Sequence, residues 1–279
     1  MTVADPSFAT SPAAPASAAK SIARTRDVRL DFFRGIAMFI ILIAHVPGNW
    51  LTLWIPARFG FSDATEIFVF CSGMASAIAF GRVFREEGNL MGSVRIGYRI
   101  WQIYWAHVGL FFAVAATMVA LNAAFPDGRD YGGQLHLYPF FKNTQENLVG
   151  LLTLTYVPNY FDILPMYMVV LVMLPIVVML AQVTPWLAAV FVLAVWVAAG
   201  FLNLNFPAEP WSQRQWFFNP FGWQLIFFTG FALMSRWLPA PPVDWRLFAV
   251  ATLFILITVP FAYFRLFNEF TWFLEWRKE

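Results

Sequence analysis

The sequence predicts an all-α fold, a polytopic transmembrane helical bundle of about seven spans. Three observations carry that expectation. Hydrophobic residues make up 60% of the 279-residue chain and charged residues 12%, with a mean hydropathy of +0.63. That balance lies outside soluble domains. Apolar runs of about 20 residues, the length a bilayer-spanning helix needs, recur along the chain. Arginines concentrate on alternate connections, and the connections between them are longer, polar and aromatic, as the positive-inside rule requires of a multi-span protein.

Met1 to about Lys20 is rich in Ala, Ser and Pro and holds no apolar run of its own. It is neither a signal peptide nor a span, and residues 1–26 read as a disordered cytoplasmic tail. Hydropathy then places spans at 32–54, 62–83, 99–124, 161–181, 186–204, 220–237 and 247–265. Lys20, Arg24, Arg26 and Arg29 precede the first, Arg82, Arg85, Arg95 and Arg99 flank the second connection, and Arg236 and Arg246 the sixth. All fall on one side of the bilayer when the N-terminus is cytoplasmic. The loops at about 125–160 and 205–219 then lie outside. An odd seventh span with no domain after it predicts a fragment of a larger bundle or a short family member.

Several function classes drop out. A net charge of +2 is too small to argue for nucleic acid. The single cysteine, Cys71, excludes an intrachain disulfide and a Cys-based metal site. There is no Gly-rich phosphate loop, no Ser-His-Asp spacing and no metal-ligand cluster, so the expected metal content is none.

The chemistry-bearing residues begin in the first span. Arg34 and His45 are eleven residues apart in one apolar run. On a helix this is three turns plus roughly 20°, so they share a face about 16 Å apart along the axis. Arg34 reads as an interfacial anchor or as a ligand for an anionic group. His45 reads as a packing histidine or, with its near-neutral pKa, as a general base or proton shuttle. In the second span Asp63 and Glu66 lie three apart. Ser62 reads as the helix cap, Asp63 as a first-turn acid favouring the positive helix end, and Glu66 as a partner that could fix the His45 tautomer. The small pair Ser72-Gly73 allows close helix contact or the passage of a thin ligand. Arg95 and Arg99, one turn apart, mark orientation or join Arg34 in binding phosphates, as three phosphoryl groups on coenzyme A would require. In the outer loops Tyr160, Asp162 and their aromatic and amide neighbours could stack on sugar faces and bond hydroxyls, or form a membrane-interface belt.

These residues together resemble a family. RLDFFRGIAMFIILIAH is similar to the opening of membrane-bound acyltransferase-3 type enzymes, with Arg34 and His45 at its Arg-x10-His motif. EIFVFCSGM resembles their second-span Ser-Gly element, and RIGYRIWQIYW their arginine-bearing third-span motif, with Trp105 where Pro is more usual. HVPGNW, FSDATEIFVFCSGMASAIAFGRVF, PNYFDILPMYM and NPFGWQLIFFTGF resemble one branch more closely, the OpgC family of osmoregulated periplasmic glucan succinyltransferases.

The resemblance covers roughly residues 27–237 and implies that 27–279 is a transmembrane acyltransferase domain of the bacterial inner membrane. It implies an acyl-CoA donor, succinyl-CoA or acetyl-CoA, with no permanently bound cofactor, and a periplasmic glucan or other glycan as acceptor. Joined to the residues above, this gives His45 as the base, Glu66 as its orienter, Arg34 as a catalytic group that holds the coenzyme A phosphates or the developing negative charge, and Arg34, Arg95 and Arg99 as the coenzyme A site. Asp63, Ser72, Tyr160 and Asp162 would meet substrate. Two other classes stand against this reading, a proton-coupled transporter using His45 and Glu66 as a relay, and a non-catalytic subunit of glycan export.

Overall fold

The computed structural model describes residues 27–126, 128 and 130–262. The predicted 1–26 tail and the final residues of the chain lie outside them. Among the described residues the elements are helical, and the only strand-like pairing is one antiparallel bridge, Pro207 with Gln215.

Helix α1 runs Val28–His45. The Asp27 carboxylate accepts the Arg29 N–H at 3.0 Å and caps its start. It ends nine residues before the predicted 54, because Val46 turns extended before Pro47 and Gly48 sits at φ +74°. The chain then passes through two 3₁₀ turns, Trp50–Leu53 and Pro56–Arg58.

Helix α2 (Ala64–Glu86) and helix α3 (Gly88–Ala124) form a hairpin joined through Glu87, with Gly88 at φ +86° making the turn. α3 begins eleven residues before the predicted 99. Its 37 residues reach about 55 Å, far beyond a hydrocarbon core of about 30 Å. Hydropathy marks only the more apolar stretch, whereas the helix starts earlier, so Arg95 and Arg99 sit about two and three turns into α3.

Three short helices, α4 (Tyr131–Gln134), α5 (Tyr138–Lys142) and α6 (Thr144–Leu152), replace what the sequence presents as a loop. α7 (Ile163–Val183) and α8 (Pro185–Phe201) are separated by Thr184 alone. α9 (Pro220–Met234) starts at Asn219, whose side chain accepts the Phe221 N–H at 3.0 Å. α10 is Trp245–Ala262.

Four helices, α2, α3, α7 and α10, are long and apolar enough to cross a membrane. The other three predicted spans also fall on helices but do not meet that standard. α8 and α9 have 17 and 15 residues, and the 18 residues of α1 include Arg29, Asp31 and Arg34. The count of seven is therefore not reached on length and composition.

Two apolar cores hold the bundle. The larger joins α2, α3, α7, α8 and α9 through side chains such as Val69, Leu171, Leu174, Phe227 and Phe231. At its centre α2 and α9 cross with almost no space. A methyl on Gly73 would overlap the Phe227 carbonyl oxygen, and one on Gly230 the Phe70 carbonyl oxygen. The smaller core gathers Phe111, Leu137, Phe140, Leu151, Tyr156 and Trp216 beneath the outer segments. Tyr156 and Trp216 are buried there.

Candidate functional site

Helices α1, α2, α3 and α7 and the two loop segments that follow α3 and α8 line three half-open cavities in a row. The first, about 500 Å³, is walled by Arg34, Arg95, Arg99, Gln102, Tyr98 and Tyr167 among others. The second, about 620 Å³, is mostly apolar but includes Arg34, Arg99, Ser72 and His45. The third, about 580 Å³, is bounded by His45, Asp63, Glu66, Tyr160, Asp162 and Arg214. Neighbouring cavities share walls: Arg34, Ser72, Arg99 and Tyr167 belong to the first and second. His45, Thr65, Tyr160 and Phe218 belong to the second and third. The face that Arg34 and His45 share on α1 thus runs along a passage, with one of them at each junction. A further, almost wholly apolar cavity between α7, α8 and α9 holds no ionisable group.

The end of the row at Arg34, Arg95 and Arg99 is cationic. Among the described residues no ion pair joins Arg34, Arg95 or Arg99 to a carboxylate. The Arg34 guanidinium carbon lies 5.6 Å from the centre of the Phe68 ring, and its buried Nε has no hydrogen-bond partner. Arg99 Nη1 donates to Gln102 Oε1 at 3.2 Å. Uncompensated guanidinium groups around one cavity are a site for an anion with several acceptor oxygens. Buried Ser72 donates to the Phe68 carbonyl at 2.7 Å, so its hydroxyl is already engaged.

His45 closes the middle cavity. Its Nδ1 lies 2.7 Å from the Ile41 carbonyl oxygen. A carbonyl only accepts, so Nδ1 carries the proton and Nε2 is the basic nitrogen. The expected Glu66–His45 bond is absent among the described residues. Glu66 Oε2 instead accepts the Asp63 N–H at 2.8 Å while Asp63 caps α2, a reciprocal capping box. The spacing Asp63-x-x-Glu66 suits that box, and the unpaired N–H groups of the helix start take the carboxylate first. The cap is Asp63 and not Ser62, and the Ile41 backbone does the orienting assigned to Glu66. Both acids still border the outer cavity.

The Tyr160 and His45 rings stand nearly perpendicular, with centroids 5.4 Å apart. Asp162 is buried and accepts the Phe218 N–H at 2.9 Å, tying the start of α7 to the second outer segment. Sequence reasoning missed the group behind these two. Arg214 Nη2 donates to Glu209 Oε2 at 3.0 Å and to the Val157 carbonyl at 2.8 Å. Glu209 also accepts from the Ser212 hydroxyl and lies 3.5 Å from His136 Nε2. Burial pushes the Glu209 carboxyl up, but the Ser212 and Arg214 hydrogen bonds and the nearby charges outweigh it and hold it below its ordinary value. The available signal was an isolated acid and base five residues apart in an otherwise uncharged loop.

Fold and site together define a helical protein with several helices long and apolar enough to cross a membrane and a row of half-open cavities, cationic at one end and bordered by a histidine near the other. Residues 26–279 match the family model described as OpgC protein, and the chain belongs to that family. Membership gives it a transferase role in glucan modification. No curated protein and no solved structure matches it.

Proposed function

We propose that this chain is an acyl-CoA-dependent O-acyltransferase of the bacterial inner membrane, of the acyltransferase-3 type. It moves a succinyl group, or in the alternative an acetyl group, from the cytoplasmic face to a hydroxyl of a periplasmic glucan. The N-terminus and arginine cavity face the cytoplasm, and the outer segments face the periplasm. One observation carries the reading: the row of three cavities joined at Arg34 and His45.

The donor's phosphates rest on Arg34, Arg95 and Arg99, and its pantetheine arm lies along the apolar middle cavity, bringing the thioester to His45. The separation along α1, about 16 Å, suits an extended arm. A glucan hydroxyl enters from the outer cavity among Asp63, Tyr160 and Asp162. His45 Nε2 takes the hydroxyl proton as the oxygen attacks the thioester carbonyl. The tetrahedral intermediate collapses, the C–S bond breaks, and the same proton returns to the departing thiolate. Such proton transfer contributes about 10²–10⁴ in rate. A covalent acyl-histidine on Nε2 is the variant route.

Membranes holding the protein, supplied with labelled succinyl-CoA and a neutral glucan, should move label into the glucan. Movement of a substrate across the membrane without acyl-CoA consumption would replace the enzyme with the transporter. Cysteines at Ser93 and Gly133 should label from opposite faces of an intact membrane, and labelling of both from one face overturns the orientation.

A further inference from the structure

We propose that Tyr160 is a gate between the donor and acceptor cavities, its backbone held at their junction by the Glu209–Arg214 pair acting as a latch; the gate rests on the acyltransferase reading for its purpose. Tyr160 borders both cavities at their junction, its ring nearly perpendicular to that of His45. Its backbone has φ +68°, a left-handed conformation that is unusual for a bulky residue. A conformation of that kind persists only where its surroundings over-determine it.

The surroundings here do so from one direction. The Val157 N–H donates to the Ala208 carbonyl at 2.8 Å, and Arg214 donates to the Val157 carbonyl at 2.8 Å and to Asn159 Oδ1 at 3.5 Å. The second outer segment therefore grips both backbone groups of Val157, three residues before the gate. Arg214 is fixed in turn by Glu209, whose side chain is 5% exposed. Beyond the gate, Asp162 holds the other side through Phe218. Tyr160 is 66% exposed. Backbone bonds hold the residue while its ring is free to turn.

The chemistry gives the gate a purpose. A thioester beside a histidine base is open to water, whose oxygen attacks the carbonyl and expels the thiol, leaving a free acid. A ring across the junction keeps outer water from the donor until the acceptor displaces it.

The test uses Ser72→Cys, placed on the donor side of the gate, in a Cys71→Ser background. The adjacent guanidinium groups favour the reactive thiolate. An anionic methanethiosulfonate is added to intact spheroplasts, so it arrives only through the outer cavity. Labelling should be slow in the parent, at least tenfold faster with Tyr160→Asn, and faster with Arg214→Gln. Asn tolerates the left-handed backbone, so this variant removes the ring without refolding the segment. Tyr160→Phe should label as slowly as the parent, since it keeps the ring that packs on His45. Cysteine at Ser93 should stay unlabelled throughout, which excludes general unfolding. Equal labelling of the parent and Tyr160→Asn overturns the gate.

A second readout separates the two proposals. Tyr160→Asn should raise acyl-CoA hydrolysis without acceptor about tenfold. If labelling responds as expected but wild-type membranes consume no acyl-CoA, the gate stands and the acyltransferase reading falls. If wild-type membranes acylate glucan but neither labelling nor hydrolysis responds, the gate alone falls.

Discussion

Replacing Gly73 with alanine puts a methyl where α2 meets the backbone of α9. The new carbon would lie 2.8 Å from the Phe227 carbonyl carbon and 3.1 Å from the Phe231 nitrogen, and it would overlap the Phe227 carbonyl oxygen. Carbon atoms rest at about 3.5–4.0 Å, so the helices must part by at least about 0.7 Å. No side-chain rotation can relieve this, because the obstructing atoms are backbone. Overpacking of this kind costs about 1–3 kcal/mol, and a backbone obstacle points to the upper half of that range. Alanine recovers up to about 1 kcal/mol of helix propensity. The expected net loss is about 1–2 kcal/mol. Gly35→Ala is the internal control: nothing lies within 4 Å of a methyl there, and it should be neutral or stabilising. Gly230→Ala strains the same crossing from the other helix. The double variant should therefore lose less than the sum, since one separation of α2 and α9 relieves both clashes. Thermal unfolding of the purified protein in nanodiscs, followed by tryptophan fluorescence, reads all four. Gly73→Ala melting at or above Gly35→Ala would refute the close-crossing argument. Ser72, beside the strained position, borders two cavities, so acyl transfer should fall with stability.

Four other outcomes are expected. His45→Gln should abolish glucan acylation at matched membrane levels, since an amide cannot take the proton at neutral pH; full acylation would leave His45 a packing residue. Glu66→Gln should keep nearly full activity, because its amide oxygen can still accept the Asp63 N–H, whereas Glu66→Ala should lower the melting point through a cap loss of about 1 kcal/mol; loss of acylation in folded Glu66→Gln would restore the orienting role. Lysine at Arg34, Arg95 and Arg99 together should raise the apparent KM for acyl-CoA while insertion stays normal, and an unchanged KM makes the cluster a topology signal only. The depressed Glu209 pKa makes its stabilising contribution present above the ordinary glutamate value of about 4.3 and lost as the pH falls through the lower folded value, so proteolysis of the segments around Val157 and Arg214 should speed up on acidification past that point in wild type, and an identical acid profile in Glu209→Gln would remove the latch as the cause.

What the sequence revealed and what it hid divide along the range of the interactions. The shared face of Arg34 and His45 was legible because an unbroken helix carries spacing directly into geometry. The arginine cavity was legible too, since Arg95 and Arg99 are one turn apart and the α2–α3 hairpin returns them to the depth of Arg34. The partner of His45 was not, because a backbone carbonyl four residues earlier leaves no mark in the pattern of side-chain types. Glu66 misled for a related reason: one carboxylate fits two local motifs, and the sequence does not say which unpaired group claims it. The latch was the least visible part. It depends on Val157 meeting Ala208 and Arg214, some 50 residues away, through backbone pairing that hydropathy and helix periodicity do not register. The residues that build the passage therefore lie on long helices and can be read in advance. Those proposed to control access to it lie where two irregular segments meet, and their roles appear only once the chain is folded.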